Sequence, residues 1–150
     1  MKRIVSLALV LMMVLTCVVS FASCDLGKKR QEKKMLGTYE MVSISGTISY
    51  NGETIQLEKD LYEYYRIILE KDGVVTIEAK GTNGAATEEE GEWEWDTDDE
   101  VLKVWTKPEG SPVRVLEKME WEDDTITYTA NQTVEGMTIS MTIVLEKVAD

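Results

Sequence analysis

The chain has 150 residues, of which 43% are hydrophobic and 29% charged, with 28 acidic against 16 basic side chains and a formal net charge of −12. A surface this acidic repels nucleic acid and anionic lipid headgroups. Histidine is absent, which removes the commonest general base, the commonest transition-metal ligand and every Ser-His or Cys-His nucleophile pair.

The chain opens with Lys2-Arg3 and then 18 uncharged residues, Ile4 to Phe21, a length between that of a secretory core and that of a spanning helix. Small residues Ala22 and Ser23 precede Cys24, and the polar run Asp25 to Lys34 follows at once. This order resembles the precursor of a bacterial lipoprotein more than a retained signal anchor. The resemblance implies cleavage before Cys24, a diacylglycerol on its thiol, and an N-acyl chain such as palmitate on the new amino terminus. The rest of the chain would then sit at the extracytoplasmic face of a cell membrane, held through the lipid. Cys17, in the rival sequence Leu15-Thr16-Cys17, reads as a small apolar residue of the discarded segment.

Residues 1–23 are therefore expected to be a signal peptide, 24–34 a lipidated cysteine with a basic tether, and 35–150 one domain. The mature chain would hold 14 basic and 28 acidic residues, a net charge of −14. Its single cysteine would be acylated, leaving no disulfide and no cysteine metal site. The tether carries Lys28, Lys29, Arg30, Lys33 and Lys34. It is either a solvated linker, with at most a helical turn, or a patch lying on anionic lipid.

From Gly37 the period is that of strands. Met137, Ile139, Met141, Ile143 and Leu145 fall on one face, with Thr138, Ser140, Thr142 and Glu146 on the other. Glu92, Glu94 and Asp96 alternate with Trp93 and Trp95, in a strand that Gly91 is expected to open. Asn51-Gly52 marks a hairpin between Thr47 to Tyr50 and Thr54 to Leu57. Lys71-Asp72-Gly73, Asp96 to Asp99 and Glu122 to Asp124 mark further turns, and a helical turn is expected near Glu58 to Tyr62. Eight or nine strands joined in this way form an antiparallel up-and-down meander, and closure into a barrel removes its edges.

The domain resembles a small bacterial lipocalin-like lipoprotein. The likeness rests on the opening Met35-Leu36-Gly37-Thr38-Tyr39-Glu40, the Glu70-Lys71-Asp72-Gly73 hairpin, Gly91-Glu92-Trp93-Glu94-Trp95, and a last strand ending Leu145-Glu146-Lys147. Tyr39 stands where that family usually has tryptophan, and Lys147 is the basic residue of the final strand. The resemblance implies an all-β barrel, with the N-terminal signal helix ahead of it.

An eight-stranded barrel encloses room for packed side chains or for one small ligand. The inward set expected to line a ligand is Tyr39, Met41, Trp93, Trp95, Met137, Ile139, Met141 and Ile143; the same residues also suit a filled core. Trp105 shares a face with Val101 and Lys103, opposite Leu102 and Val104, and with Trp121 it is a candidate for surface contact with a protein or glycan.

Glu88 to Glu90 and Asp96 to Glu100 supply hard oxygens. Counted from Asp96, however, the sixth and twelfth positions of a calcium loop hold Val101 and Lys107, so the clusters read as solvated turns and no metal is expected. No phosphate loop and no Gly-x-Ser-x-Gly elbow is present. The expectation is a non-catalytic lipoprotein without a cofactor other than its covalent lipid, binding a small apolar ligand. The alternative is an envelope or host-facing module with a packed, ligand-free barrel whose partner is a protein.

Overall fold

The computed structural model describes residues 26–107 and 113–149. The expected cleavage and lipidation site at Cys24 and the apolar segment before it lie outside these residues. The chain divides into Met1–Lys34 and Met35–Asp150, and the second unit holds the nine strands found among the described residues. Residues 26–35 are helical where the sequence offered a linker or a single turn. The run is rich in lysine, arginine, glutamine and glutamate, all good helix formers, and Lys28 meets Glu32 one turn on at 3.9 Å. No helix among the described residues is long and apolar enough to cross a membrane.

The strands are β1 (Gly37–Tyr50), β2 (Glu53–Gln56), β3 (Tyr62–Leu69), β4 (Val74–Gly81), β5 (Ala86–Asp96), β6 (Val101–Thr106), β7 (Val115–Glu122), β8 (Thr125–Val134) and β9 (Met137–Lys147). A single turn of 3₁₀ helix, Lys59–Leu61, stands where a helical turn is expected. Strands β3 to β9 follow one another as an antiparallel meander, and β1 pairs with both β3 and β9. Eight strands thus close into a barrel, and β2 is a ninth laid on β1 alone. The all-β closed meander read from the sequence is the observed fold.

The hairpins turn where the backbone takes positive φ. Asn51-Gly52, Asp123-Asp124 and Glu135-Gly136 do so at both residues of a two-residue connection, the twist that suits right-twisted strands, and Asp72-Gly73 do so within the longer turn Lys71–Gly73. Correction comes at β5, which begins at Ala86 rather than at Gly91. A Cβ on Gly91 would collide with the Trp105 carbonyl on β6, so glycine lets two central strands approach and does not start one. Gly46 has the same task on β1, with φ +125 and the backbone of Ser140 and Met141 on β9 where a side chain would be.

Pairing around the barrel is uneven, and this shapes everything inside it. Strands β1 and β9 pair from Tyr39↔Lys147 to Tyr50↔Met137, with a bulge at Val42, and β8 and β9 pair over nearly their whole length. By contrast β7 and β8 pair only from Glu122↔Thr125 to Glu120↔Thr127, and β1 and β3 only from Gly37↔Leu69 to Glu40↔Arg66. One end of the barrel is therefore a continuous ring. Toward the other end it parts along two seams into a β3–β7 sheet and a β8-β9-β1-β2 sheet.

The ringed end holds the core. Tyr39, Leu69, Val75, Leu102, Ile126 and Leu145 are all at most 1% exposed, and each such side chain contributes about 1.5–3 kcal/mol by leaving water. Tyr39 donates to the Met35 carbonyl at 2.7 Å and accepts from Trp121 Nε1 at 2.9 Å. Trp121 also stands edge-on to Trp95, ring centroids 6.3 Å apart. Burial, partly offset by the Trp121 bond, pushes the Tyr39 hydroxyl up to about 12. At the rim Lys147 lies over Gly37, with its ammonium 3.7 Å from Asp124. On the outer face Arg66 sits between its register partners Glu40 and Glu78, at 3.9 and 3.4 Å, and over the Tyr64 ring.

Candidate functional site

Between the parted sheets lies a cavity of about 430 Å³. Its floor is the apolar core just described, and its walls follow from continuing the same alternation outward along each strand. On β5 the inward series runs Trp95, Trp93, Gly91, Glu89 and Thr87. On β7 it runs Trp121, Met119, Glu117 and Val115, and on β8 Ile126, Tyr128, Ala130 and Gln132. Every series begins apolar at the ringed end and carries polar side chains farther along, Glu89 and Thr87 on β5, Glu117 on β7 and Gln132 on β8.

The polar wall comprises Tyr65, Thr87, Glu89, Glu117, Tyr128 and Gln132, and the apolar wall Ile77, Ala79, Val115 and Met119, with buried Thr106 behind them. No lysine or arginine is among these residues. The two tyrosines mark the two seams. Tyr128 follows Thr127, the last residue of β8 to pair with β7, and Tyr65 precedes Arg66, the last of β3 to pair with β1. Where the β7–β8 ladder stops, a side-chain bond takes over: Tyr128 donates to Glu117 Oε2 at 2.6 Å.

Electrostatics tie the group together. Tyr65 is pushed up to about 12, first by burial and then by the fields of Glu117 and Glu89, so both carboxylates act at its hydroxyl. Tyr128 is also raised, by burial and then by its hydrogen bond to the Glu117 carboxylate. Both phenols are neutral donors at physiological pH. The arrangement offers hydrogen-bond donors and acceptors, two negative charges, two aromatic rings and an apolar wall. Among the described residues there is no cluster of three or more metal-ligating side chains.

None of the eight residues expected to line a ligand lies in this cavity. Tyr39, Met41, Trp93, Trp95 and Ile143 are packed core, and Trp93 is further fixed by donating Nε1 to the Glu70 carbonyl at 3.0 Å. Met141 is half-buried against the core and Ile139 half-buried, while Met137, 36% exposed, ends β9 away from the ring. They do point inward, but burial along a strand depends on which end of the barrel the residue occupies. Period alone carries no such coordinate.

Of the two tryptophans read as surface contacts, Trp121 faces inward and is held by Tyr39 and Trp95, because β7 continues its alternation through Met119. Trp105 is on the outer wall. It borders a shallow recess with Glu92, Arg114 and the Asp72-Gly73 turn, across which Arg114 donates to Glu92 at 2.8 Å.

The charged cavity residues missed from sequence are Glu89 and Glu117. Glu89 sits in Glu88-Glu89-Glu90, which looks like a solvated turn and is instead strand, with Glu89 on the inner face and its neighbours outside. The signal was present in the spacing, since Glu89 is four residues before Trp93 and Glu117 four before Trp121. The other acidic cluster is a turn: Asp96 accepts from the backbone of Asp98 and Asp99 at 3.0 and 3.2 Å and from Lys103, and these partners hold its carboxyl down at about 2.

No protein-family model matches the chain, and no curated protein matches it. Among solved structures it is similar to a lipocalin-like protein from Bacteroides uniformis, with 12% identity, a TM-score of 0.44, and coverage of 76% of this chain and 98% of that one. It is also similar to an uncharacterized protein from Bacteroides eggerthii, with 12% identity, a TM-score of 0.41, and coverage of 76% and 99%.

Proposed function

We propose that this protein is a lipid-anchored, extracytoplasmic, non-catalytic binding protein whose barrel holds one small molecule between its parted sheets. The observation that carries the reading is the cavity itself. Its 430 Å³ falls within the range of about 300–1,000 Å³ found for small-molecule sites. Ile77, Ala79, Val115 and Met119 would take the apolar body of the ligand, and the tyrosines and glutamates its polar end. The anchor rests on Lys2-Arg3, the apolar segment and Ala22-Ser23-Cys24. The absence of histidine supports binding without turnover.

A second reading, an envelope or host-facing interaction module, draws on the outer wall. There Trp105 pairs with Leu116, which is exposed, near exposed Val74.

Native mass spectrometry of the full chain released from detergent tests the first reading. A co-purified small molecule, displaced by substituting Met119→Trp, is the expected result. A protein that is always empty and fails to enhance the fluorescence of a hydrophobic dye would sink it. Substituting Cys24→Ala should abolish acyl labelling and leave unprocessed precursor, and labelling that persists would show that the anchor has been misread.

A further inference from the structure

We infer that the cavity receives the protonated amino group of an amphiphilic small molecule, held between Glu89 and Glu117 and the rings of Tyr65 and Tyr128. This rests on the binding function proposed above and names the chemistry of its ligand.

The first ground is the position of the carboxylates. Glu89 pairs with Ile77 and Glu117 with Val104, so both occupy inward positions beside residues that face the barrel interior. A carboxylate turned into a partly enclosed, low-dielectric space loses hydration, and the loss is recovered only by hydrogen bonds or an opposite charge. Glu117 has one such bond, from Tyr128. The Glu89 side chain, on a residue whose backbone pairs with Ile77, has no hydrogen bond or ion pair among the described residues, and the cavity wall supplies no lysine or arginine to either carboxylate. The missing complement is a cation that also donates hydrogen bonds.

The second ground is what surrounds the charges. Glu89, Glu117, Tyr65 and Tyr128 line the same cavity, so both carboxylates and both rings face one enclosed space. Tyr65 and Tyr128 add aromatic faces, and a cation between two such faces gains further attraction. An ammonium group, with up to three donors, satisfies two carboxylates and a phenol oxygen together. A bare divalent ion does not: calcium takes six to eight oxygens, and no cluster of three metal-ligating side chains exists among the described residues. The apolar wall of Ile77, Ala79, Val115 and Met119 then requires that the amine carry a hydrocarbon part. A net charge of −12 draws such a ligand in from solution.

Calorimetric titration of the full chain in detergent, against a micelle blank, with hexylammonium, hexanol and hexanoate separates charge from shape. The ammonium is expected to bind at least about tenfold more tightly than the alcohol, and the carboxylate not to bind. Glu89→Gln and Glu117→Gln should each weaken ammonium binding about tenfold and weaken alcohol binding much less, with circular dichroism confirming that each variant is folded. Should one variant fail to fold, the other decides. Alcohol binding as tight as ammonium binding, or glutamine variants that bind the ammonium normally, would overturn the amine and leave the cavity reading standing. If none of the three probes binds, both fall.

Discussion

The two ends of this barrel use one rule to build two different interiors. At the ringed end the inward positions carry Leu69, Val75, Leu102, Ile126 and Leu145, nearly without exposure, and the backbone ladders run unbroken around the wall. Further along, the inward positions carry Tyr65, Thr87, Glu89, Glu117 and Gln132, and the β1–β3 and β7–β8 ladders have stopped. A strand fixes which way a side chain points. Whether it meets core or cavity depends on whether the neighbouring strand is still there to close the wall. A seam spaces two strands, the interior widens, and polar groups that would be costly at the ringed end become tolerable because water or a ligand can reach them.

This contrast is open to attack by mutation, and the largest effect is expected from cavities cut in the ring. Leu145→Ala should cost about 2–5 kcal/mol, because a fully buried leucine is removed from a site closed on every side. On the same strand and the same face, Met137→Ala should cost less than about 1 kcal/mol, since Met137 is 36% exposed. Urea denaturation of both variants gives the comparison. Equal losses would mean that the far end is packed as tightly as the ring.

The tyrosines sharpen the contrast at the level of single hydrogen bonds. Tyr39→Phe leaves Trp121 Nε1 without its acceptor and the Met35 carbonyl without its donor, and should cost about 1–3 kcal/mol. Tyr128→Phe frees a half-buried carboxylate that water can reach and should cost less, about 0.5–1.5 kcal/mol. Its effect should appear instead as faster amide exchange confined to the unpaired stretches of β7 and β8. Exchange that quickens over the whole barrel would show that the seam is not an independent unit.

The smallest effect, and the most local, is in alkali. Tyr39 and Tyr65 are each moved from 10.0 to about 12, chiefly by burial, so folding favours their protonated forms. Their contribution to stability is present below pH 10 and is lost as pH rises from 10 through about 12. Tyrosinate absorbance followed beside circular dichroism should show Tyr65, open to the cavity, ionising while the fold persists, a step missing in Tyr65→Phe. Tyr39 should ionise only as the ring unfolds. Simultaneous ionisation and unfolding in both proteins would remove the distinction between the two ends.

Much of the fold was legible in the residues. Asn51-Gly52, Asp72-Gly73 and Asp123-Asp124 announced their hairpins because only turn residues take positive φ cheaply, and Met137 to Leu145 announced a face because strand side chains alternate. The site was legible in direction and not in place. Trp93 and Trp95 do point inward, but into the packed ring, whereas Glu89 was hidden in a run of three glutamates that looks like solvated loop. Gly91 misled for a related reason. Its carbonyl neighbour Trp105 belongs to another strand, and nothing near Gly91 in the chain reveals that approach.

An acidic, histidine-free chain, its strands, most of its tight turns and the inward or outward sense of most strand residues all follow from the order of the residues. These properties depend on composition and on neighbours within a few positions. Where the ladders stop, which end of the barrel is core, and that two carboxylates and two tyrosines line one cavity are set by how the strands close on one another. Such facts rest on pairings such as Tyr39↔Lys147 and on their absence between β7 and β8 beyond Thr127. Register between strands far apart in the chain is a property of closure, and no local pattern carries it.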